Sequence, residues 1–163
     1  NWLMTAPTVN AYYNPPQNEI VFPAGILQPP FFSNTYPKAM NFGAMGMVMG
    51  HEITHGFDDE GRKFDAEGRP SEWWTPAAVE GFEKVAACVD DQYDGYEAAP
   101  GLHLSGELTL GENIADLGGM RISYRAYQKW VTENAPEPSV AGLTANQLFF
   151  VSHAQAWCST APQ

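Results

Sequence analysis

Basic residues and cysteines are scarce in this sequence of 163 residues. Eight Lys and Arg stand against 19 Asp and Glu, which leaves a formal net charge of −11. This excess of negative charge argues against nucleic acid and anionic membranes as partners. Solubility alone explains it most simply, although a cationic peptide partner is also compatible. The two cysteines, Cys88 and Cys158, neither require nor exclude an oxidising compartment.

Long apolar runs, internal repeats and low-complexity tracts are absent as well. No stretch approaches the roughly 20 apolar residues of a membrane span, so we expect no transmembrane segment in this chain. The content of 44% hydrophobic and 13% aromatic residues is sufficient for one sizeable core. We therefore predict one folded domain over residues 1–163.

Turn and capping signals divide the chain into a strand and four helices. Thr75 before Pro76 is typical of an N-cap followed by proline at the first helical position. Thr144 and Gln147 match a capping box. The predicted strand covers 18–22 and ends before a turn at 28–30. The four predicted helices run from Pro37 to Gly56, from Thr75 to Tyr93, over 106–133 and from Thr144 onwards. A break at 134–138 separates the last two.

Apolar residues at helical spacing predict which side chains face the core. In the helix after Thr75 we expect Phe82, Val85 and Val89 to point inward. His153 is expected to be an ordinary core or surface histidine. The longest predicted helix carries three aromatic residues that we expect in the core rather than in a binding stripe: Tyr124, Tyr127 and Trp130.

The run His51-Glu52-Ile53-Thr54-His55 is the main functional signal. On a helix, two histidines four residues apart project from the same face and can share a metal ion. The spacing matches the pattern in which both histidines bind zinc and the glutamate is the general base of a metalloprotease. Two solvated histidines would be the alternative. The preceding stretch, 40–50, is uncharged and largely apolar, which predicts a buried helix whose histidines need a partner at each ring nitrogen.

A second pair, Glu112 and Asp116, repeats the one-turn spacing. A catalytic zinc usually takes three protein ligands, so Glu112 is a candidate for the third. Asp116 is then placed to accept the free ring N–H of a ligating histidine. A solvated acidic helix face is the alternative. Gly118 and Gly119 argue against it, because adjacent glycines inside a helical pattern predict the close approach of a second backbone, which we expect to be the histidine helix.

Two further carboxylates, Asp58 and Asp59, directly follow the histidine motif. Either is a candidate to orient a histidine, and solvated charges at a helix end are an equally good interpretation. A calcium-binding loop across 58–65 does not fit the twelve-residue template for such sites.

Taken together, these motifs resemble the catalytic region of the neprilysin family of zinc metallopeptidases, a group that includes endothelin-converting enzymes and bacterial oligopeptidases. The order of the matching stretches is the family's, and the match covers essentially the whole chain. The stretches that carry it are VNAYY (9–13), IVFPAGILQPPFF (20–32), GHEITHGFDD (50–59), LGENIADLGG (110–119) and QLFFVSHAQAWC (147–158).

The resemblance implies both a fold and a metal site. The implied fold is α+β and mainly helical, a thermolysin-like zincin core with a short β-sheet near the N-terminus and the metal-binding helices packed together. One Zn²⁺ per chain would be held by His51, His55 and Glu112. Glu52 would be the catalytic base, and Asp116 the carboxylate that supports catalysis by orienting a histidine.

The resemblance also implies roles at other positions. Asn10 and Ala11 match an edge-strand segment that holds the backbone of a peptide substrate by hydrogen bonds. Cys88 and Cys158 would each pair with a cysteine outside this stretch rather than with each other. The implied location is extracellular, periplasmic or at the cell surface.

Two parts of the family's machinery are not matched. A histidine that stabilises the transition state and an arginine that grips the substrate follow the Trp157-Cys158 stretch in the family, whereas this sequence stops at Gln163, and His153 does not match that histidine. A large helical domain belongs upstream. We therefore expect the missing parts of a longer parent protein as partners. Losing one oxyanion donor costs about 3 kcal/mol, so we expect little or no activity from this chain alone.

The sequence thus predicts a zinc-dependent endopeptidase. Glu52 would take the proton of a zinc-bound water as that water attacks a peptide carbonyl. One alternative is a non-catalytic zinc-binding domain that recognises peptides through the strand at Asn10, and another is a helical module without metal. Retention of Glu52 favours the enzyme, because a structural zinc site usually has four protein ligands and needs no base. The sequence leaves open which aromatic residues line a substrate pocket among Phe31, Phe32, Trp73 and Trp74.

Overall fold

Helices form most of the chain in the computed structural model, which describes residues 2–158. This confirms the predicted mainly helical α+β fold with a short β-sheet near the N-terminus. A second hairpin, which turns at Gly101 with a φ of 75°, was not predicted. The order is β1 (Tyr12–Asn14), β2 (Glu19–Val21), α1 (Lys38–Asn41), α2 (Met47–His55), α3 (Pro76–Asp94), β3 (Glu97–Ala99), β4 (Leu102–His103), α4 (Gly106–Glu133) and α5 (Ala145–Ala156).

The histidine motif lies at the end of a helix that runs without a break from α1 to α2. Its start after Pro37 and its end at Gly56 confirm the prediction. A π-helical segment, Phe42–Gly46, joins the two parts and was not predicted. The hydroxyl of Ser123 on α4 donates a hydrogen bond to the carbonyl of Phe42 in this segment. The widened turn is therefore tied to the neighbouring helix.

Close packing of α2 against α4 confirms the interpretation of the paired glycines. A Cβ added at Gly119 would lie 2.7 Å from both the amide nitrogen of His51 and the carbonyl oxygen of Met47. A Cβ at Gly50 would lie 2.9 Å from the Cα of Gly119. At Gly118 it would overlap the side chain of Thr54. Only glycine lets the two backbones approach this closely, so the glycines set the distance between the two helices.

The main hydrophobic cluster lies between α1, α4 and α5. Its buried members are Ala39, Tyr127, Leu148 and Phe149, with Tyr124 and Trp130 packed against them, which confirms the core assignment of the three aromatic residues. The predicted capping box of Thr144 and Gln147 begins α5 and is also confirmed. A second, smaller cluster consists of Ala11, Ile26 and Met45.

The inward face of α3 differs from the prediction at one position. Thr75 caps the helix as expected, by accepting a hydrogen bond from the amide of Ala78. The side chain of Val85, however, is 67% exposed, and Ala86 is the buried residue. Residues three and four positions after Phe82 both lie near its face of the helix. Here α3 packs on the side that contains Ala86, four residues after Phe82, and Val85, three residues after it, faces outward.

Two other expectations concern the surface of the chain. Cys88 and Cys158 are both exposed and carry free thiols. Within residues 2–158, no helix has the length and apolar character needed to cross a membrane.

The glycine contact predicts a large difference between two Gly→Ala variants. Gly119→Ala should lower the free energy of unfolding by about 1–3 kcal/mol, because the added Cβ meets backbone atoms that have no room to move. Gly81→Ala is the control, since nothing lies within 4 Å of a Cβ there. Gly81 is an exposed residue inside α3, so this variant should raise the free energy of unfolding by about 0.5–1 kcal/mol. Urea denaturation followed by circular dichroism measures both, and equal effects would contradict the packing argument.

Candidate metal centre

Four predicted side chains from α2 and α4 meet at one point. His51 and His55 turn their Nε2 atoms toward each other at 2.9 Å. Glu112 of α4 places Oε2 3.3 Å from the Nε2 of His51 and 3.7 Å from that of His55. The carboxyl group of Glu52 also lies near, with an oxygen that groups with both histidines inside 4.8 Å. The structure therefore brings the proposed ligands and the proposed base together.

Each histidine is held from behind by a carboxylate. The Nδ1 of His51 lies 2.8 Å from Asp116 Oδ1, and the Nδ1 of His55 lies 2.7 Å from Asp58 Oδ2. Because a carboxylate accepts hydrogen bonds, each Nδ1 must be the donor. Each Nε2 then presents its lone pair to the centre.

Of the two carboxylates that follow the motif, Asp58 contacts a histidine and Asp59 does not. Asp58 is buried, and its second oxygen accepts hydrogen bonds from the backbone amides of Glu60 at 2.9 Å and Gly61 at 2.6 Å. Asp59 packs beside Gly111, and its Oδ1 has no hydrogen-bond partner in the described part of the chain. Burial raises the pKa of Asp59. Geometry thus assigns the orienting contacts to Asp58 and Asp116.

The donor set fits a tetrahedral metal ion. Two imidazole lone pairs that face each other repel unless a cation lies between them. Ligands about 2.1 Å from a tetrahedral ion stand about 3.4 Å apart. The three separations among His51 Nε2, His55 Nε2 and Glu112 Oε2, which are 2.9, 3.3 and 3.7 Å, bracket that value. Since Glu52 is less close, Glu112 is the better third ligand.

In the absence of metal, the same geometry binds a proton strongly. Burial of the His51 ring disfavours its charged form, but hydrogen bonds to Asp116 and Glu112 outweigh this and raise the pKa of His51 to about 10. Burial also opposes protonation of His55, and its hydrogen bond to Asp58 leaves the pKa of His55 raised. The hydrogen bond to His51 lowers the pKa of Glu112. In the metal-free chain, a proton between the two Nε2 atoms therefore occupies the position that a metal ion would take.

Glu52 is buried beside the histidines rather than exposed on the helix. Glu52 is only 5% exposed, and this burial raises the pKa of its carboxyl group. The two histidines and a hydrogen bond from the backbone N–H of Tyr13 act in the opposite direction. A carboxylate with a raised pKa next to a metal centre is suited to accept a proton near neutral pH. The contact with Tyr13 was not predicted from the sequence.

The segment expected to hold a substrate backbone lies at the same place but is not itself a strand. β1 begins at Tyr12, one residue after Ala11, and pairs with β2 in the register Tyr13 opposite Ile20. Ala11 is buried, and its amide donates to Asn10 Oδ1 at 2.9 Å. The Ala11 amide is therefore already hydrogen-bonded within the chain. Asn10 and Ala11 directly precede β1. The other edge of β1 has no strand partner among residues 2–158.

Two cavities share the metal-site residues His51, Glu52 and Glu112. The first, which we call the apolar cavity, has a volume of about 200 Å³. Its other walls come from Val9, Asn10, Ile26, Phe31, Met47, Val48 and Trp157. The second, which we call the acidic cavity, has a volume of about 470 Å³. Its other walls come from Asn10, Ala11, Tyr12, Tyr13, Pro15, His55, Asp58, Glu60 and Gly61.

The structure separates the four aromatic residues that the sequence left unassigned. Phe31 lines the apolar cavity, whereas Phe32 packs against the cluster around Ile26. Trp73 lines a further cavity of about 520 Å³ that includes none of the proposed metal ligands. Trp74 packs edge-to-face against Phe82. Trp157, which sequence reasoning did not propose for a pocket, joins Phe31 because α5 returns to the site.

Comparison with known proteins agrees with this geometry. Residues 10–163 match peptidase family M13. Endothelin-converting enzyme 1 of Bos taurus is 54% identical over 160 residues, and an endothelin-converting enzyme homolog of Locusta migratoria is also 54% identical. The alignment covers 97% of this chain but only 21% and 22% of those two proteins. This chain therefore spans about a fifth of the length of these relatives.

Solved structures show the same fold. The Mycobacterium tuberculosis zinc metalloprotease ZMP1, determined with an inhibitor, superposes with a TM-score of 0.91 at 48% identity, covering 96% of this chain and 25% of that one. PepO from Lactobacillus rhamnosis superposes with a TM-score of 0.83 at 38% identity, covering 96% and 23%. These similarities confirm the family resemblance and the zincin-type fold inferred from the sequence.

The raised pKa of His51 predicts that metal binding releases a proton at pH 8. An ordinary histidine, with a pKa of 6.5, is neutral at that pH, whereas His51 keeps its proton up to about pH 10. In the metal-free chain this proton stabilises the fold fully below pH 6.5, and the contribution is lost as the pH rises toward about 10. Calorimetric titration with Zn²⁺ in two buffers of different ionisation enthalpy should show at least one proton released per ion.

Two variants test the source of this proton. Asp116→Asn removes a carboxylate that raises the pKa of His51 and should reduce the release at pH 8. His103→Gln changes an exposed histidine that lies near Glu97, so the release should stay unchanged. A wild-type release near zero at pH 8 would contradict the assignment.

Proposed function

The chain belongs to peptidase family M13, and on that premise we propose that it is the metal-bearing part of a zinc-dependent endopeptidase. The observation that carries the proposal is the convergence of His51, His55 and Glu112 beside the buried carboxyl group of Glu52. The names of the relatives support it, since they are called endothelin-converting enzymes and zinc metalloproteases.

His51, His55 and Glu112 would hold the zinc ion. When bound, zinc lowers the pKa of a coordinated water toward 7 and polarises a carbonyl group as a Lewis acid. Asp116 and Asp58 keep each histidine in the tautomer whose Nε2 lone pair faces the centre. The two backbone amides that bind the other oxygen of Asp58 fix that carboxylate in turn.

Glu52 serves as the general base in this proposal. Its burial favours proton uptake, while the nearby backbone N–H of Tyr13 on β1 favours its charged form. After accepting a proton from the attacking water, Glu52 is positioned to pass it to the leaving amine.

A peptide substrate would lie along the free edge of β1, where Asn10 and Ala11 enter the strand. The two cavities share Glu52 and Glu112 among their walls. An apolar side chain on one side of the cleaved bond would therefore enter the apolar cavity, against Phe31.

The alternative is a non-catalytic zinc-binding domain that recognises peptides. Burial of Glu52 favours the enzyme, because a buried carboxyl group that is not needed for chemistry costs free energy without a benefit.

Zinc content is the first test of the site. We expect one zinc per wild-type chain and a loss of most of it in His55→Ala and in Glu112→Ala, because either change removes a ligand. His103→Ala, in an exposed histidine outside the centre, should keep the metal. Elemental analysis of the purified chains after dialysis gives the ratio. Retention of zinc by Glu112→Ala would exclude Glu112 as a ligand.

Replacement of the base separates binding from chemistry. Glu52→Gln should keep zinc, since the ligands remain, and should lower peptide cleavage at least about a hundredfold, because no group accepts the proton. Glu133→Gln, at the far end of α4, is the control for loss of one carboxylate. Long incubations analysed by mass spectrometry allow for slow turnover. Cleavage by Glu52→Gln at the wild-type rate would exclude this mechanism.

A further inference from the structure

The two cavities beside the metal centre differ in charge. The acidic cavity has four carboxyl groups among its lining residues, from Glu52, Asp58, Glu60 and Glu112, and no lysine or arginine. The apolar cavity shares Glu52 and Glu112 but has neither of the other two. A divalent ion would offset only two of four negative charges. The acidic cavity therefore remains electronegative when metal is bound.

Only Glu60 among these four carboxylates has no role in the metal centre. Glu112 faces both Nε2 atoms, Asp58 holds the Nδ1 of His55, and Glu52 is the proposed base. The side chain of Glu60 is 75% exposed. It is therefore the exposed carboxylate among the lining residues that the metal centre does not use.

The backbone of Glu60 is fixed relative to the metal centre. Its amide donates to Asp58 Oδ1 at 2.9 Å, while the other oxygen of Asp58 lies 2.7 Å from His55 Nδ1. One carboxylate thus links Glu60 to a proposed ligand. A charge at this position keeps a defined relation to any peptide bound across the centre, which is a requirement for a residue that selects substrates.

A neighbouring lysine partly offsets the charge of Glu60. Lys63 Nζ lies 2.6 Å from Glu60 Oε1, and both side chains are exposed, at 46% and 75%. Lys63 itself is not among the lining residues of the acidic cavity. An exposed pair of this kind is weak, so a basic side chain in the cavity can compete for Glu60.

We propose that Glu60 is a specificity-determining residue that favours a lysine or arginine side chain in the acidic cavity, and that Lys63 moderates this preference. The inference rests on the proposed function, because a peptide lying across the metal centre is what brings a side chain into the cavity.

Peptide hydroxamates, which bind zinc and are not cleaved, test this without turnover. Matched pairs carry Lys or Gln at the same position, with the metal-binding group at either end of the peptide so that each side is sampled. Competition against a fluorescent hydroxamate, followed by anisotropy on the zinc-loaded chain, gives the Kd values. The wild-type chain should bind the Lys form about two- to fivefold more tightly on one side, as expected for an exposed charge pair. High salt should reduce this ratio.

Two variants should move the ratio in opposite directions. Glu60→Gln should bring the ratio of the Kd values for the Gln and Lys forms close to one, and Lys63→Gln should raise it, because Glu60 then lacks its partner. Loss of folding would not produce both results. Lys129→Gln and Glu133→Gln change a matched exposed pair, with a 4.0 Å separation at the end of α4, and should leave the ratio unchanged.

The outcomes distinguish this inference from the function on which it rests. Hydroxamates that bind without a preference for Lys, or a preference that survives Glu60→Gln, would overturn the role of Glu60 and leave the zinc peptidase in place. A zinc-loaded chain that binds no peptide hydroxamate would overturn the proposed function, and this inference with it.

Discussion

The contact between the backbones of α2 and α4 is the constraint on which the metal centre depends. Gly50 and Gly119 let the two helices approach so closely that an added Cβ on either would meet backbone atoms of the other helix. At this distance, carboxylates of α4 reach both ring nitrogens of His51. A wider spacing would remove these bonds. The centre is therefore produced by helix packing, with the glycines as its structural cause.

Electrostatics then make the centre suitable for a cation. Carboxylates behind the histidines fix their Nδ1 protons, so the Nε2 lone pairs converge on one point and a positive charge must be supplied there. A proton fills the position in the metal-free chain, because the burial that disfavours the charged His51 ring is outweighed by hydrogen bonds to Asp116 and Glu112, which raise its pKa to about 10. A divalent ion is the stronger occupant. Affinity for metal in this arrangement depends on pH, because the ion has to displace that proton.

The N-terminal segment forms part of the walls of both cavities beside the metal centre. The backbone N–H of Tyr13 favours the charged form of Glu52, and Asn10 lines both the acidic and the apolar cavity. One short piece of chain therefore lies near the proposed base and borders both cavities. The apolar cavity is completed by Trp157 from α5, and the acidic cavity by the turn at Glu60.

Local signals in the sequence determined the helix boundaries, the histidine and carboxylate spacings and the close approach at Gly118 and Gly119, because caps, one-turn periodicity and glycine geometry act over a few residues. Tertiary structure alone decided the remainder. It selected Asp58 over Asp59 as the partner of His55 and buried Ala86 in place of Val85. It also brought distant segments together around the metal centre. Such choices depend on the distance and rotation between packed helices, and residue spacing along a single segment does not encode either.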